Sequence, residues 1–177
     1  MNNTAVSRND NVDDLEAARI RQALKNGKPE EAIRILGKPW TVTAPVEHGD
    51  ARGRTIGFPT ANMHLADDEP LVFGIYAVRV DVLDVNGSRA SRHDGVANFG
   101  IRPMFRTTKP LLEAHLFDFD DDLYGKRLSV EFFAHLRSEA SFSSLEALVA
   151  QIRADTVEAR ARLAKDRADQ CGLAQDR

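Results

Sequence analysis

The sequence predicts a mainly β domain, an antiparallel sheet or small barrel, with a short helical hairpin before it and a long helix after it. Three observations carry this. From Trp40 the apolar residues alternate in short runs instead of recurring at helical spacing, the pattern of a half-buried strand. Turns built from Gly, Asn, Asp and Pro, such as Asn86-Gly87, separate the runs, and non-helical links of this kind join antiparallel strands. Beyond Ser143 the period switches, and Leu145, Leu148, Val149, Ile152 and Leu163 share one helical face.

Taken in order, residues 1–12 are polar and rich in Asn, with nothing to bury, and are expected to be disordered. Asp13 or Asp14 is the expected cap of a helix carrying Leu15, Ala18, Ile20 and Leu24, which Asn26-Gly27 stops. Pro29 opens a second short helix, with Ile33 and Leu36 expected in the core and Gly37 as its stop. Strands are expected at 40–48, 74–83, 94–99, 111–119 and 128–136. Pro45 removes a ladder donor, so the first of them should be an edge strand, bulged or shortened. Ser143 followed by Glu146 forms the expected capping box of the last helix.

A chain of 177 residues accommodates one domain of ordinary size with appendages. Its 24 Lys and Arg are scattered among 27 Asp and Glu, for a net charge of −3, so it lacks the basic stripe of a nucleic-acid binder. No apolar run approaches the ~18–20 residues of a membrane span, nor is there a signal-peptide core, and a cytoplasmic protein is expected. The single cysteine, Cys171, excludes an intrachain disulfide. The five histidines show no metal-ligand spacing. Asp118-Phe-Asp-Asp-Asp122 imitates the start of a calcium loop, but Leu123 stands where the obligatory Gly belongs and Ser129 where the bidentate Glu belongs. Charge patterning alone makes it a solvated turn between strands.

The most informative stretch is Gly49-Asp-Ala-Arg-Gly-Arg-Thr-Ile-Gly-Phe-Pro-Thr-Ala-Asn62, three glycines at four-residue spacing leading into Pro-Thr-Ala-Asn. Glycines let main-chain N–H groups approach an anion closely, yet neither the Walker A nor the dinucleotide-binding spacing is met. Thr60 and Asn62 read by themselves as a turn bonding its own backbone. In the strand at 111–119, Leu112, Ala114 and Leu116 share one face and Glu113, His115, Phe117 and Phe119 the other; a carboxylate placed so is either exposed at the rim or functional.

The order G-D-x-R-G-R-T-I-G-F-P-T-A-N resembles the ATP loop of the riboflavin kinase (flavokinase) family, whose hallmark is the Pro-Thr-Ala-Asn tetrapeptide. Further blocks follow in the family's order: Gly95-Val-Ala-Asn-Phe-Gly-Ile-Arg-Pro103, Leu112-Glu-Ala-His-Leu-Phe-Asp-Phe119, Leu123-Tyr-Gly125 and Leu136-Arg-Ser-Glu-Ala-Ser-Phe-Ser-Ser-Leu-Glu146. The likeness spans about residues 38–163.

The resemblance implies a six-stranded antiparallel Greek-key β-barrel with a long C-terminal helix. It also implies an enzyme that transfers the γ-phosphate of ATP to the 5′-hydroxyl of riboflavin, giving FMN and ADP with Mg²⁺. Carried over residue by residue, Gly49, Gly53, Arg54, Thr55, Gly57, Thr60 and Asn62 would meet ATP and its phosphates. Thr60 and Asn62 would hold the metal, a chemically adequate pair because Mg²⁺ takes few protein ligands when the substrate brings the charge. Glu113, in the family's E-x-H block, would be the catalytic base, and His115 a relay or a satisfied strand histidine. Tyr124, on a second flap, together with Arg137 and Phe142, would contact the flavin; on their own, Arg137 could pair with Glu139 or Glu146, and Phe142 could be a hydrophobic staple.

Residues 1–37 are expected as a lead-in and hairpin, 38–165 as the kinase domain and 166–177 as a polar tail. Arg19-Ile-Arg-Gln-Ala-Leu through Leu36-Gly-Lys-Pro-Trp40 resembles the junction to the adenylyltransferase half of the bifunctional family members. With no H-x-G-H-type motif before it, FMN and not FAD is the expected product, whether the chain is a natural short form or a truncated one. Pro45, Phe73 and Met104 depart from the family pattern, which keeps open a divergent flavin- or nucleotide-binding regulatory module with little turnover. Nothing in the sequence identifies a protein partner.

Overall fold

The computed structural model describes residues 8–49, 52–101 and 109–175. Among these residues six strands form one antiparallel sheet: β1 (Trp40–Pro45), β2 (Ala61–His64), β3 (Gly74–Leu83), β4 (Arg89–Gly100), β5 (Leu111–Leu116) and β6 (Arg127–Arg137). Their spatial order is β1-β6-β3-β4-β5-β2. The two ends of the sheet meet just beyond β1, where the Glu47 N–H donates to the Asn62 carbonyl at 2.9 Å, so the sheet curls into a half-barrel joined by one bridge. Among the described residues four helices accompany it: α1 (Arg8–Lys25), α2 (Pro29–Leu36), the single turn α3 (Arg52–Thr55) and α4 (Leu145–Gln175).

Alternation along each strand separates two cores. Val42, Met63, Tyr76, Val78, Phe99, Leu112, Ala114, Val130 and Phe132 fill the inner face, capped by Ile20, Ala23, Leu24 and Ala32 of the hairpin. Ala77, Val96, Phe117, Phe133 and Ala134 on the outer face receive Ala159 and Leu163 of α4. Buried Arg79 fastens that second core: its guanidinium lies 4.4 Å from the Phe133 ring and donates to Asp94, to Asp166 and to the Leu163 carbonyl. β3 is therefore covered on both sides, whereas β5 has an inner apolar face and an outer face bearing Glu113 and His115.

The hairpin matches its punctuation but not its start. Pro29 is at the head of α2 and Gly37 ends it in the left-handed conformation at φ 74°. α1, however, reaches back to Arg8, so Asp13 and Asp14 lie inside the helix and are not its cap, and residues 8–12 are helical where disorder was expected. Within α1 it is Ile20, Ala23 and Leu24 that are buried, while Leu15 is 62% exposed. Ile33 and Leu36 are only half-buried, and Pro29 and Ala32 take the core positions of α2. An eight-residue helix laid against a curved sheet presents too narrow a stripe to bury more.

Three strand boundaries move by more than a residue, and one strand is added. β1 stops at Pro45, and as the sheet's terminal strand it has β6 as its ladder partner, the place where a missing donor is tolerated. β4 begins at Arg89, well before 94, because the turn at Asn86-Gly87 is tight: Gly87 has φ 80° and Asp84 Oδ1 accepts from the backbone of Asn86 and Ser88. β5 ends at Leu116, since Asp118 adopts φ 55° and breaks the extended run. β2, which had no alternating pattern of its own, is an added strand formed by the Ala61–His64 segment. The last helix is capped by Ser144, whose Oγ accepts from the Ala147 N–H at 3.1 Å, and not by Ser143; that one-residue shift leaves Leu145 56% exposed. The helix also continues through much of the expected polar tail.

Candidate functional site

Two cavities lie on opposite sides of the β2–β5 pair, and the alternation of β5 divides them. Glu113 and His115 face the first, of about 360 Å³, between the outer face of the sheet and α4. Ala114 and Leu116 face the second, of about 330 Å³, at the mouth of the barrel beneath residues 119–124. Thr60 lines both.

Thr60 is held there by the loop that precedes it. The α3 turn folds back so that the Phe58 N–H donates to the Gly53 carbonyl at 2.8 Å, with Gly57 at φ 84°. A β-carbon on Gly53 would lie 2.2 Å from that Phe58 carbonyl oxygen, so the turn requires glycine. His115 pins the loop to β5: its Nδ1 is 2.8 Å from the Pro59 carbonyl, an acceptor only, so this nitrogen carries the proton. The Phe58 ring meets the same imidazole edge-on at 5.5 Å. His115 is thus a satisfied strand histidine with a positioning task.

Asn62 lies in β2 in register with Glu113, which is in register with Asn98 of β4 on its other side. Residues opposite one another share a face, so Asn62, Glu113 and Asn98 form a polar row across three strands. Asn62 is in a strand, with its carbonyl in the Glu47 bridge, and does not form a turn on its own backbone. Gly49 abuts its side chain: a β-carbon there would lie 2.2 Å from Asn62 Nδ2. Among the described residues no three His, Cys, Asp or Glu gather where they could hold a metal. Thr60 and Asn62 each offer a neutral side-chain oxygen, the donor type that suits a cation whose remaining ligands are substrate phosphates and water; Thr60 lines both cavities, whereas Asn62 lines neither and is buried beside Gly49.

The far wall of the first cavity comes from α4 and the end of β6. Arg137 donates from Nε to Asp155 Oδ1 at 2.9 Å and from Nη2 to Oδ2 at 2.7 Å, and Gln151 also donates to Asp155. Its partner is therefore Asp155, only 5% exposed, and not Glu139 or Glu146. The guanidinium sits 5.8 Å from the Phe142 ring. With Ile75, Leu148 and Ile152, this wall is a slot for a flat apolar group edged by charge.

Of the residues singled out in the sequence, Gly53, Thr60, Glu113, Arg137 and Phe142 surround the first cavity, and Arg54, Thr60 and Tyr124 surround the second. Tyr124 is therefore apart from Arg137 and Phe142. It stacks on His48 at 4.0 Å, joining the two segments at the mouth of the barrel. Thr55 and Gly57 support the loop without lining either cavity, and Gly49 acts through Asn62. Arg102, Pro103 and Met104 lie outside the described residues. The acidic turn is partly neutralised: Arg160 makes a two-pronged contact with Asp118 at 3.0 Å and 3.0 Å, which holds that carboxyl below its ordinary range. Asn98, Asp155 and Ile152 were missed. Asn98 lay within the quoted Gly95-Val-Ala-Asn block, whereas Asp155 and Ile152 carried no signal beyond helical periodicity.

The riboflavin kinase family model matches residues 36–163, which include both cavities and the whole sheet. The chain belongs to the riboflavin kinase family. Among curated relatives, the bifunctional riboflavin kinase/FMN adenylyltransferase of Bacillus subtilis is 40% identical over 149 residues, covering 82% of this chain and 45% of the relative. The protein of the same description from Escherichia coli K12 is 40% identical over 146 residues, covering 82% and 45%. The chain thus spans less than half the length of these relatives. A solved riboflavin kinase of Trypanosoma brucei superposes with a TM-score of 0.56 at 27% identity, covering 75% of this chain and 82% of that one. A Streptococcus pneumoniae structure described as a macrolide-efflux protein superposes with a TM-score of 0.69 at 36% identity, covering 78% of this chain and 44% of its own. No helix among the described residues is long and apolar enough to cross a membrane.

Proposed function

We propose that the chain phosphorylates riboflavin: it transfers the γ-phosphate of ATP to the ribityl 5′-hydroxyl, giving FMN and ADP. The observation that carries this is Thr60, common to the walls of two cavities whose characters differ. The first, apolar with Arg137 and Phe142 at one end and Glu113 at the other, suits an isoalloxazine ring and its polyol chain. The second, beside Arg54 and below Tyr124, suits a nucleotide, and this reading assigns Tyr124 to the nucleotide side. Phosphoryl transfer requires the two substrates to meet in line at one point, and Thr60 marks it.

In this reading Glu113 accepts the proton of the attacking hydroxyl and holds its oxygen toward the γ-phosphorus. The loose transition state of phosphoryl transfer makes that positioning more important than basicity. N–H groups at the head of the α3 turn would meet phosphate oxygens, those of Ile56 and Gly57 being already given to the Gly53 and Arg54 carbonyls, and Thr60 and Asn62 would hold Mg²⁺. Bound there, Mg²⁺ would offset charge on the transferring phosphoryl group. His115 keeps Thr60 in place through Pro59.

The test is direct. The purified chain is incubated with riboflavin, ATP and Mg²⁺, and FMN, ADP and FAD are separated by chromatography. FMN and ADP in equal amounts are expected; ADP without FMN, or no turnover with riboflavin bound, would refute the proposal.

A further inference from the structure

Asn98 is a polar group in the wall of the first cavity to which the proposed reaction gives no task. The β4–β5 register sets it opposite Glu113, where Cβ atoms of facing residues are about 4.5–5.5 Å apart. Its Oδ1 is closed off from solvent and finds no hydrogen-bond donor among the described residues. A buried acceptor left unpaired costs about 1–3 kcal/mol, so such an atom in a cavity wall calls for a donor from the occupant. Neighbouring Val96 and Ala97 offer side chains without one.

The two substrates of the proposed reaction differ in this respect. A triphosphate at neutral pH presents acceptors to the wall, whereas a polyol chain presents a hydroxyl donor at nearly every carbon. The Asn χ2 torsion is soft, so Oδ1 can turn into the cavity without displacing β4.

We propose that Asn98 is a substrate-positioning residue: its side-chain oxygen accepts a hydrogen bond from a hydroxyl of the flavin's polyol chain and so aligns the chain along the β4–β5 row, with its terminal hydroxyl at Glu113. The assignment rests on the riboflavin kinase reading above.

The experiment uses fluorescence titration of the full chain with riboflavin and with lumiflavin, which has the same ring and a methyl group in place of the polyol. Asn98→Ala is expected to weaken riboflavin binding about tenfold, the loss of roughly 1.4 kcal/mol, and to leave lumiflavin binding unchanged. Unchanged lumiflavin binding also shows that the variant is folded; Asn98→Ser, a smaller disturbance, repeats the measurement. Equal losses for the two ligands, or no loss for riboflavin, overturn the inference. FMN formation by the unmodified chain is scored separately. A selective binding loss without any turnover would sink the kinase reading and leave Asn98's role standing.

Discussion

A β-carbon on Gly49 would fall 2.2 Å from the side-chain nitrogen of Asn62. The first glycine of the loop is therefore the back wall of the candidate metal ligand, across a turn of the chain. Gly49→Ala should displace the Asn62 amide and raise the KM for Mg-ATP about tenfold, a cost near 1.4 kcal/mol. Asn62→Ala and Thr60→Ala should lower both affinity for Mg-ATP and turnover. Initial-rate kinetics over a range of Mg-ATP concentrations check this; normal constants in all three variants would leave the tetrapeptide without a role in nucleotide binding.

Glu113→Gln keeps the size of the side chain and removes its basicity. Turnover should fall about 10²–10⁴-fold with riboflavin binding largely kept, measured as kcat against the flavin dissociation constant. A variant turning over within twofold of the parent would take Glu113 out of the mechanism.

Arg137 and Asp155 hold the end of β6 to α4 through a pair in which Asp155 is 5% exposed. Asp155→Ala leaves the guanidinium without its counter-charge and should cost about 3–5 kcal/mol of stability. Arg137→Met combined with Asp155→Ala should recover part of that loss, since the stranded charge is gone. Urea unfolding of the two single variants and the double variant measures the coupling, and strictly additive losses would contradict it.

His135 is held below the ordinary histidine range chiefly by burial, against an opposing hydrogen bond to the Phe73 backbone. Its Nε2 has no partner among the described residues, and a β-carbon on Gly74 would lie 2.3 Å from it. The unfolded chain takes up this proton more readily than the folded one, so the fold's stability rises with pH in this window. The contribution is complete above the unfolded value, near pH 6.5, and is lost as pH falls through the lower folded value. Thermal unfolding midpoints between pH 8 and pH 5 should therefore drop more steeply for the parent than for His135→Gln. Parallel curves would rule this out.

The fold class was legible because its cause is local. Alternation at 74–83 and 128–136, the Asn86-Gly87 turn and the Pro29 and Gly37 helix boundaries each act through a few neighbouring residues, and they stand in the structure close to where the sequence set them. β2 was not legible, because four residues, Ala61–His64, carry too little pattern to declare a strand; β5 on one side and the Glu47 bridge on the other impose it. The cap shifted from Ser143 to Ser144 for a similar reason: both hydroxyls can accept, and the docking of α4 on the sheet decides between them.

By itself the sequence determined that Thr60, Asn62 and Glu113 carry donors and acceptors suited to phosphates, a metal and a hydroxyl, since that chemistry belongs to each side chain wherever it lies. Only the tertiary structure decided that Asn62, Glu113 and Asn98 form one row, that Arg137 pairs with Asp155, and that Tyr124 stands over a different cavity from Phe142. Strand register and helix docking set those relations. They depend on pairings between residues far apart in the chain, which no local pattern records.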